Sequence, residues 1–383
     1  MNYEFPVITH IDEVKHLLED RDDFRLYEKD DFDVIDYVVA FTDTFPPVTD
    51  WDTAVLREFR GLIFYKDGFI ARRAYHKFFN VDEREETKSI DLDKKHVILE
   101  KLDGSMIAPF SLDDGSIYWA TKVGAIDFHD EVAAFVTPSY VDMVSDCLPM
   151  NQPIFEWMGP NNRIVIGYDV PQLVLTGIRS KNSGEYMAYN EMKALAEYYG
   201  VPCVKAYDGT FENMEKLMTH TRGLTTEEGY VIVFEDGHRF KIKSDWYCQL
   251  HKVKSYFDYE KDVVKLIMQG DIDDLIPMLD ENQQSKVNVF SQKLNDELYV
   301  NLYVGICSEV DRVEREKLDK KGFALSSKNV HHFVRSVMFK YFDDFGYIVD
   351  NINDIIKDGV INNTSSGRKW VDFKKANGIT LDW

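Results

Sequence analysis

The chain has 383 residues, 67 acidic against 45 basic, and a formal net charge of -22 at pH 7. Its 44% hydrophobic and 14% aromatic content suffices for a large core in two domains and excludes a disordered chain. No apolar run reaches membrane-span length, Met1–His10 has no secretion-signal pattern, and the four scattered cysteines suit a reducing compartment, so a cytoplasmic protein without a membrane partner is expected.

A short helix is expected at Ile11–Leu18. The acidic stretch Glu19–Asp36 carries nine acids against three bases and reads as solvated surface. A strand follows over Asp33–Phe41. From residue 58 to 247 the pattern is repeated β-hairpins. Phe59–Tyr65 turns at Asp67-Gly68 and returns through Phe69–Ala71. Met106–Ser111 turns at Asp114-Gly115 and returns through Ile117–Trp119. Gly229–Phe234 turns at Asp236-Gly237 and returns through Phe240–Lys243. Asp-Gly between apolar runs is a strong hairpin signal, because the turn needs positive φ. Two more hairpins are expected at 153–168 and 172–189, with a helix at Glu191–Tyr199. After residue 255 the apolar spacing becomes helical: Val287, Phe290, Leu294, Leu298 and Leu302, then Val330, Phe333, Val334, Val337, Met338 and Tyr341. Ser326 and Ser327 are candidate N-caps of that last helix. The expected fold class is α+β: an antiparallel-sheet domain over 1–254, then an all-helical domain over 255–383.

Within this frame Glu100-Lys101-Leu102-Asp103-Gly104-Ser105 stands out. A lysine ends an apolar strand at a tight turn, with a carboxylate two residues on. Lysine suits that place if its amine must attack something. The hairpin at 229–243 adds Glu228 before one strand and Lys241 and Lys243 on its partner, both on one face. Together they either hold a metal ion and phosphate, or form cross-strand ion pairs on an exposed sheet. Phe155-Glu156-Trp157 places an acid inside an apolar strand, either as a site residue or on a solvated edge. Arg60 and Lys77 lie among aromatics. Asp271, Asp273 and Asp274 either bind a divalent cation or begin a helix. His331 and His332 read as structural. From His238 to Lys254 five bases face one acid, a local stripe that offsets the acidic total where a narrow site must hold phosphate.

In order along residues 35–275, these pieces resemble the covalent nucleotidyltransferase superfamily, and within it the RNA ligase 1 family of phage T4. Glu100–Ser105 looks like the nucleotidyl-lysine motif, with Leu102 where the T4 member has an acid. Phe155-Glu156-Trp157 with Pro160–Val165 is similar to the third motif, Glu228–Val231 to the fourth, and Phe240–Tyr247 to the fifth. Arg60-Gly61 and Lys77-Phe78-Phe79-Asn80 match stretches of the same group.

The resemblance implies an antiparallel-sheet nucleotidyltransferase domain and an ATP-dependent RNA ligase. Lys101 would attack ATP and become lysyl-AMP, AMP would pass to an RNA 5′-phosphate, and a 3′-hydroxyl would displace it. The implied ATP contacts are Tyr37, Arg60, Lys77, Phe79, Glu156, Lys241 and Lys243, beside Lys101 itself. Glu228, Asp273 and Asp274 are the implied holders of Mg2+, with Mn2+ as an alternative. Asp103 and Gly104 belong to the lysine motif, and Lys122 matches a family lysine. The implied partners are RNA with 5′-phosphate and 3′-hydroxyl ends, tRNA in particular, and an end-healing kinase or phosphatase. The helical domain would set RNA preference. A monomer, in the host cytoplasm if encoded by a bacteriophage, is expected. An mRNA-capping-type guanylyltransferase and a catalytically inactive RNA-binding relative are the alternatives.

Overall fold

In the computed structural model, which describes residues 5–41, 43–122, 129–279 and 281–383, the three Asp-Gly pairs all close turns with glycine at positive φ, 88° at Gly237 for example. Two compact units result, Met1–Cys248 and Gln249–Trp383. The sequence places the break at 254/255. It falls earlier, within helix Asp245–Tyr256, because the first turn of that helix carries Tyr247, which bonds to Asp103.

The first unit contains strands β1 (Phe24–Glu28), β2 (Phe32–Tyr37), β3 (Arg60–Tyr65), β4 (Ile70–Arg72), β5 (Phe79–Asn80), β6 (His96–Lys101), β7 (Ser105–Ile107), β8 (Phe110–Ser111), β9 (Ile117–Tyr118), β10 (Asn151–Met158), β11 (Gln172–Ser180), β12 (Gly229–Phe234) and β13 (Arg239–Lys243). They form sheets of order β1-β2-β3-β4, β11-β10-β7, β5-β13-β12-β6 and β8-β9. All pairs are antiparallel except β13 with β5.

Sheet β5-β13-β12-β6 carries Lys101, Lys241 and Lys243. Leu99, Val231 and Lys241 stand side by side across three strands. Their neighbours Ile98, Tyr230, Ile232 and Ile242 point the other way, into a core closed by Leu217 of helix Met214–Arg222. Alternation thus gives one apolar face and one face open to polar groups. Elsewhere in this unit Glu58 is wholly buried between two arginines. Arg73 Nη2 and Arg179 Nη2 lie 2.9 and 2.8 Å from its Oε1, holding its carboxyl well below the usual range although burial opposes this.

Several expected elements take other forms. Ile11–Leu18 is two 3₁₀ turns, Ile11–Glu13 and Lys15–Leu18. The acidic stretch is not all solvated: it contains β1, whose Phe24 is buried, and it ends at buried Asp36. The strand read over Asp33–Phe41 stops at Tyr37. The hairpin at 106–119 is split by Pro109, which cannot donate to a ladder. β7 therefore pairs with β10, and β8 pairs with β9. The two hairpins read at 153–168 and 172–189 are one: β10 and β11 pair along their length across a long loop. Residues 164–166 are not a strand, because the Val165 and Ile166 amides donate to Asp103. Past Ser180 a single bridge, Arg179 to Tyr186, closes the turn.

The second unit is helical. Its core includes Val287, Phe290, Leu294, Leu298, Leu302, Val334, Val337 and Met338, as the spacing predicts. A π-helical segment, Leu294–Tyr299, joins helices Glu281–Lys293 and Val300–Glu316. Ser326 and Ser327 do not cap helix His332–Lys340, which begins after His331. Ser327 instead terminates the preceding helix, Lys320–Ser326. No described helix is long and apolar enough to cross a membrane.

Candidate active site

Lys101 ends β6 opposite Gly229, and Gly229 faces Lys243 of β13 on its other side. Glu228, one residue earlier, is therefore delivered between two lysines. Its Oε1 lies 2.8 Å from Lys101 Nζ and 2.9 Å from Lys243 Nζ, and its side chain is only 2% exposed. Glycine is required at 229. Its φ is 143°, and a Cβ there would stand 2.0 Å from the Ile242 carbonyl oxygen.

Glu156 on β10 completes the group. Its Oε1 accepts a hydrogen bond from the Gly104 amide at 3.2 Å. Gly104 packs so tightly that a Cβ would come within 2.3 Å of the Trp157 carbonyl oxygen. Burial pushes the Glu156 carboxyl up to about 7, with Glu228 adding to the rise and Lys101 and Arg60 opposing it. Lys241 shows the opposite effect. Burial, reinforced by Lys101, Lys77, Arg60 and Lys243, pushes its ammonium down to about 7. No carboxylate pairs with Lys241 among the described residues.

Asp103 has a positioning role. It is 1% exposed, and both oxygens are committed. Oδ2 accepts from the Val165 and Ile166 amides at 2.8 and 2.7 Å, and Oδ1 accepts from Tyr247 Oη at 2.7 Å. The residue beside the lysine turn thereby ties in the loop after β10 and the helix after β13. Ser105 Oγ adds a bond to Asn162 Oδ1 at 3.0 Å.

A cavity of about 260 Å³ opens on these groups, close to the lower end of small-ligand pockets at about 300 Å³. Arg60, Lys101, Gly104, Glu156 and Lys241 line it, with Leu99, Val231, Tyr75 and Phe78 as its apolar walls. A larger cavity, about 890 Å³, lies around Lys94, Lys95, Glu185 and Glu235 and is not lined by Lys101, Lys241 or Lys243.

Tyr37, Lys77, Phe79 and Lys122 gather in a neighbouring cationic cluster. Lys77 Nζ is 5.1 Å from the Tyr37 ring centre and 5.6 Å from that of Phe79. Lys122 Nζ lies 3.8 Å over Tyr37 and 2.9 Å from Asp36 Oδ2. Burial raises the Asp36 carboxyl despite that lysine. Burial also opposes ionisation of the Tyr37 phenol, yet Lys122, Lys77 and Arg60 together bring it below its ordinary value. Arg60 links the cluster to the cavity, since its charge is felt by Tyr37, Glu156 and Lys241.

Asp273 is exposed in the four-residue helix Ile272–Leu275 of the second unit, and the Asp274 side chain lies outside the described residues. Among the described residues no three His, Cys, Asp or Glu side chains form a metal cage. The Glu156–Glu228 pair does fit a cation that shares its coordination with phosphate. Magnesium is held by one or two carboxylates plus substrate oxygens, and a carboxyl that keeps its proton to about pH 7 can exchange it for a cation.

Sequence reading missed Asp36 as the partner of Lys122, and Tyr75 and Arg239 as cavity residues. Arg239 shares the two-residue spacing of Lys241 and Lys243, so alternation alone could have placed it on their face.

Residues 58–247 match the sequence model of a family described as RNA ligase, the T4 type 1 group. A presumed RNA ligase of Thermovibrio ammonificans is 26% identical over 321 residues, 78% of this chain and 82% of its own. A presumed bifunctional polynucleotide kinase/RNA ligase of Autographa californica nuclear polyhedrosis virus is 25% identical over 263 residues, 60% of this chain and 36% of the viral protein. The structure of an archaeal ATP-dependent RNA ligase aligns at 15% identity with a TM-score of 0.47, covering 78% of this chain and 79% of that one. Lys101, Glu156, Glu228, Lys241 and Lys243 all fall inside the matched segment, and through that segment the chain belongs to the RNA ligase family.

Proposed function

We propose that this RNA ligase uses ATP to join 5′-phosphate and 3′-hydroxyl RNA ends through lysyl-AMP and RNA-adenylate intermediates. The observation that carries the reading is the single Glu228 oxygen held between Lys101 and Lys243, 2.8 and 2.9 Å away, with Lys101 itself lining a cavity beside Glu156 and Lys241.

In the first step the unprotonated Lys101 amine attacks the α-phosphorus of ATP. A nitrogen–phosphorus bond forms, the bond to pyrophosphate breaks, and the amine's proton passes to solvent. Lys241 and Lys243 stand on the same sheet face to receive charge developing on the phosphate oxygens. Arg60, Lys77 and Lys122 offer cations to the departing pyrophosphate, and Tyr37 and Phe79 supply aromatic contact. Glu156, oriented by the Gly104 amide, accepts from a ribose hydroxyl. In the second step an oxygen of the RNA 5′-phosphate displaces Lys101 from AMP, and the amine regains a proton. In the third, the 3′-hydroxyl oxygen attacks the activated 5′-phosphorus, loses its proton, and AMP leaves.

Glu228 and Glu156 would hold Mg2+, or Mn2+, with Asp273 and Asp274 as further candidates by resemblance. When bound, the ion neutralises phosphate charge. The biological role we infer is RNA repair, tRNA in particular, by a cytoplasmic monomer whose helical unit sets substrate preference. The kinase named in the viral relative supports an end-healing partner.

The test is intact-mass analysis of wild type and Lys101→Ala after incubation with labelled ATP or GTP, without RNA. An AMP adduct on wild type that Lys101→Ala lacks is the expected result. An adduct surviving the mutation would overturn Lys101 as the nucleophile, and retention of GMP instead would identify a capping-type guanylyltransferase.

A further inference from the structure

One buried cation in the cavity has no part in the steps above. Arg239 begins β13, two residues before Lys241 and four before Lys243, so all three side chains leave the sheet on one face. Arg239 is only 6% exposed, and it lines the cavity with Lys101, Glu156 and Lys241. Its guanidinium carbon lies 4.0 Å from the centre of the Tyr186 ring and 5.2 Å from that of Tyr75.

The other buried arginines of this region direct their donors at protein acceptors. Arg73 and Arg179 share Glu58 and reach the carbonyls of Pro6, Asn182, Ala74 and Gly184. Arg239 differs. Its guanidinium makes no hydrogen bond or ion pair among the described residues, and its Nε is buried without a partner, as are those of Arg57 and Arg72, but those two arginines bond through their Nη atoms. A buried guanidinium nitrogen left without an acceptor is unfavourable. The aromatic contacts fix its plane but supply no acceptor.

Position indicates what the missing acceptor is. Strand residues advance by about 3.3 Å, which sets Arg239 about 7 Å from Lys241 and about 13 Å from Lys243, farther from the Lys101–Glu228 pair with each step. The cavity that Arg239 lines has Leu99, Val231, Tyr75, Phe78 and Val204 among its wall residues. Such a lining suits the flat apolar faces of a nucleobase and not a phosphate. The frame around the arginine is also built to stay in place. Tyr186 Oη is 2.8 Å from His76 Nδ1, and Tyr75 fits only because residue 177 is glycine, where a Cβ would come within 2.4 Å of its hydroxyl.

We propose that Arg239 is the base-recognition residue of this cavity, donating from its guanidinium to an acceptor nitrogen on the edge of the adenine ring. The inference rests on ATP being the nucleotide, as argued under Proposed function. A guanidinium has donors alone, so it must face a ring nitrogen and not the exocyclic amino group.

The experiment measures lysyl-AMP formation by wild type and Arg239→Met, with ATP and with 1-deaza-, 3-deaza- and 7-deaza-ATP. Each analogue removes one ring acceptor. Wild type is expected to need about tenfold more of one analogue than of ATP for half-saturation. Arg239→Met is expected to need about tenfold more ATP at a maximal rate within about twofold of wild type, and to use ATP and that analogue equally. Wild type using all three analogues like ATP would overturn the proposal, and this arm decides even if the variant does not fold. Discrimination retained in Arg239→Met, or a lost maximal rate with unchanged half-saturation, would also overturn it. If wild type forms no adduct with any nucleotide, the ATP reading itself fails and the base assignment falls with it.

Discussion

Replacing Lys241 with methionine should make the protein more stable and less active. The Lys241 ammonium, ordinarily near 10.5, is brought to about 7 by burial and by the charges of Lys101, Lys77, Arg60 and Lys243. The unfolded chain keeps its proton up to about 10.5, whereas the folded protein loses it near 7. Between those values the unfolded state binds more protons, so this residue makes stability rise with pH. At about 1.4 kcal/mol per pH unit, lysine at 241 destabilises the fold by at most about 4 kcal/mol at pH 7 and by almost nothing near pH 10.5. Methionine keeps the linear stem and removes the charge, with little change in volume. Urea denaturation of wild type and Lys241→Met at pH 7 and pH 10 measures the difference directly. The variant should gain up to about 4 kcal/mol at the lower pH, and the gap should nearly close at the higher. A gap of equal size at both pH values, or none at pH 7, would refute the idea that crowded cations strain this position. Adenylylation by the variant should fall, because the proposed phosphate contact of Lys241 is lost.

Glu156 should behave in the mirror sense. Its carboxyl is raised from 4.5 to about 7, so the folded state holds the proton longer and stability falls as pH rises through that window. Glu156→Gln should flatten this fall when wild type and variant are compared at pH 5 and pH 8 by thermal denaturation, and the reading fails if the two profiles run parallel. Asp103→Asn should destabilise by about 3 kcal/mol, since an amide nitrogen would confront donors that now reach a carboxylate. Chemical denaturation checks this, and near-wild-type stability would show that the loop and the Tyr247 helix are held by other contacts.

Much of the site was legible because its signals are local. Lys101 sits at a strand end before a turn, Glu156 interrupts an apolar strand, and Lys241 and Lys243 alternate on one face. Each is a pattern of a few residues, and the Asp-Gly turns that set the strands are dipeptides. Long-range pairing was not legible. Residues 153–168 read as a hairpin, yet β10 pairs with β11, because the intervening amides of Val165 and Ile166 are taken by Asp103, about sixty positions earlier in the chain. The acidic stretch reads as solvated, yet it ends at Asp36, buried against Lys122. Electrostatic state lies further still from the sequence. A glutamate and a lysine enter the chain with ordinary proton affinities, and burial brings both to about 7, with distant charges reinforcing the shift of Lys241 and partly opposing that of Glu156. The order of motifs along the chain therefore determined the family. Only the tertiary structure decided which carboxylate lies between which lysines, and that the Arg239 guanidinium lines the cavity with no hydrogen-bond or ion-pair partner among the described residues, because desolvation and through-space charge act between residues that the chain itself keeps far apart.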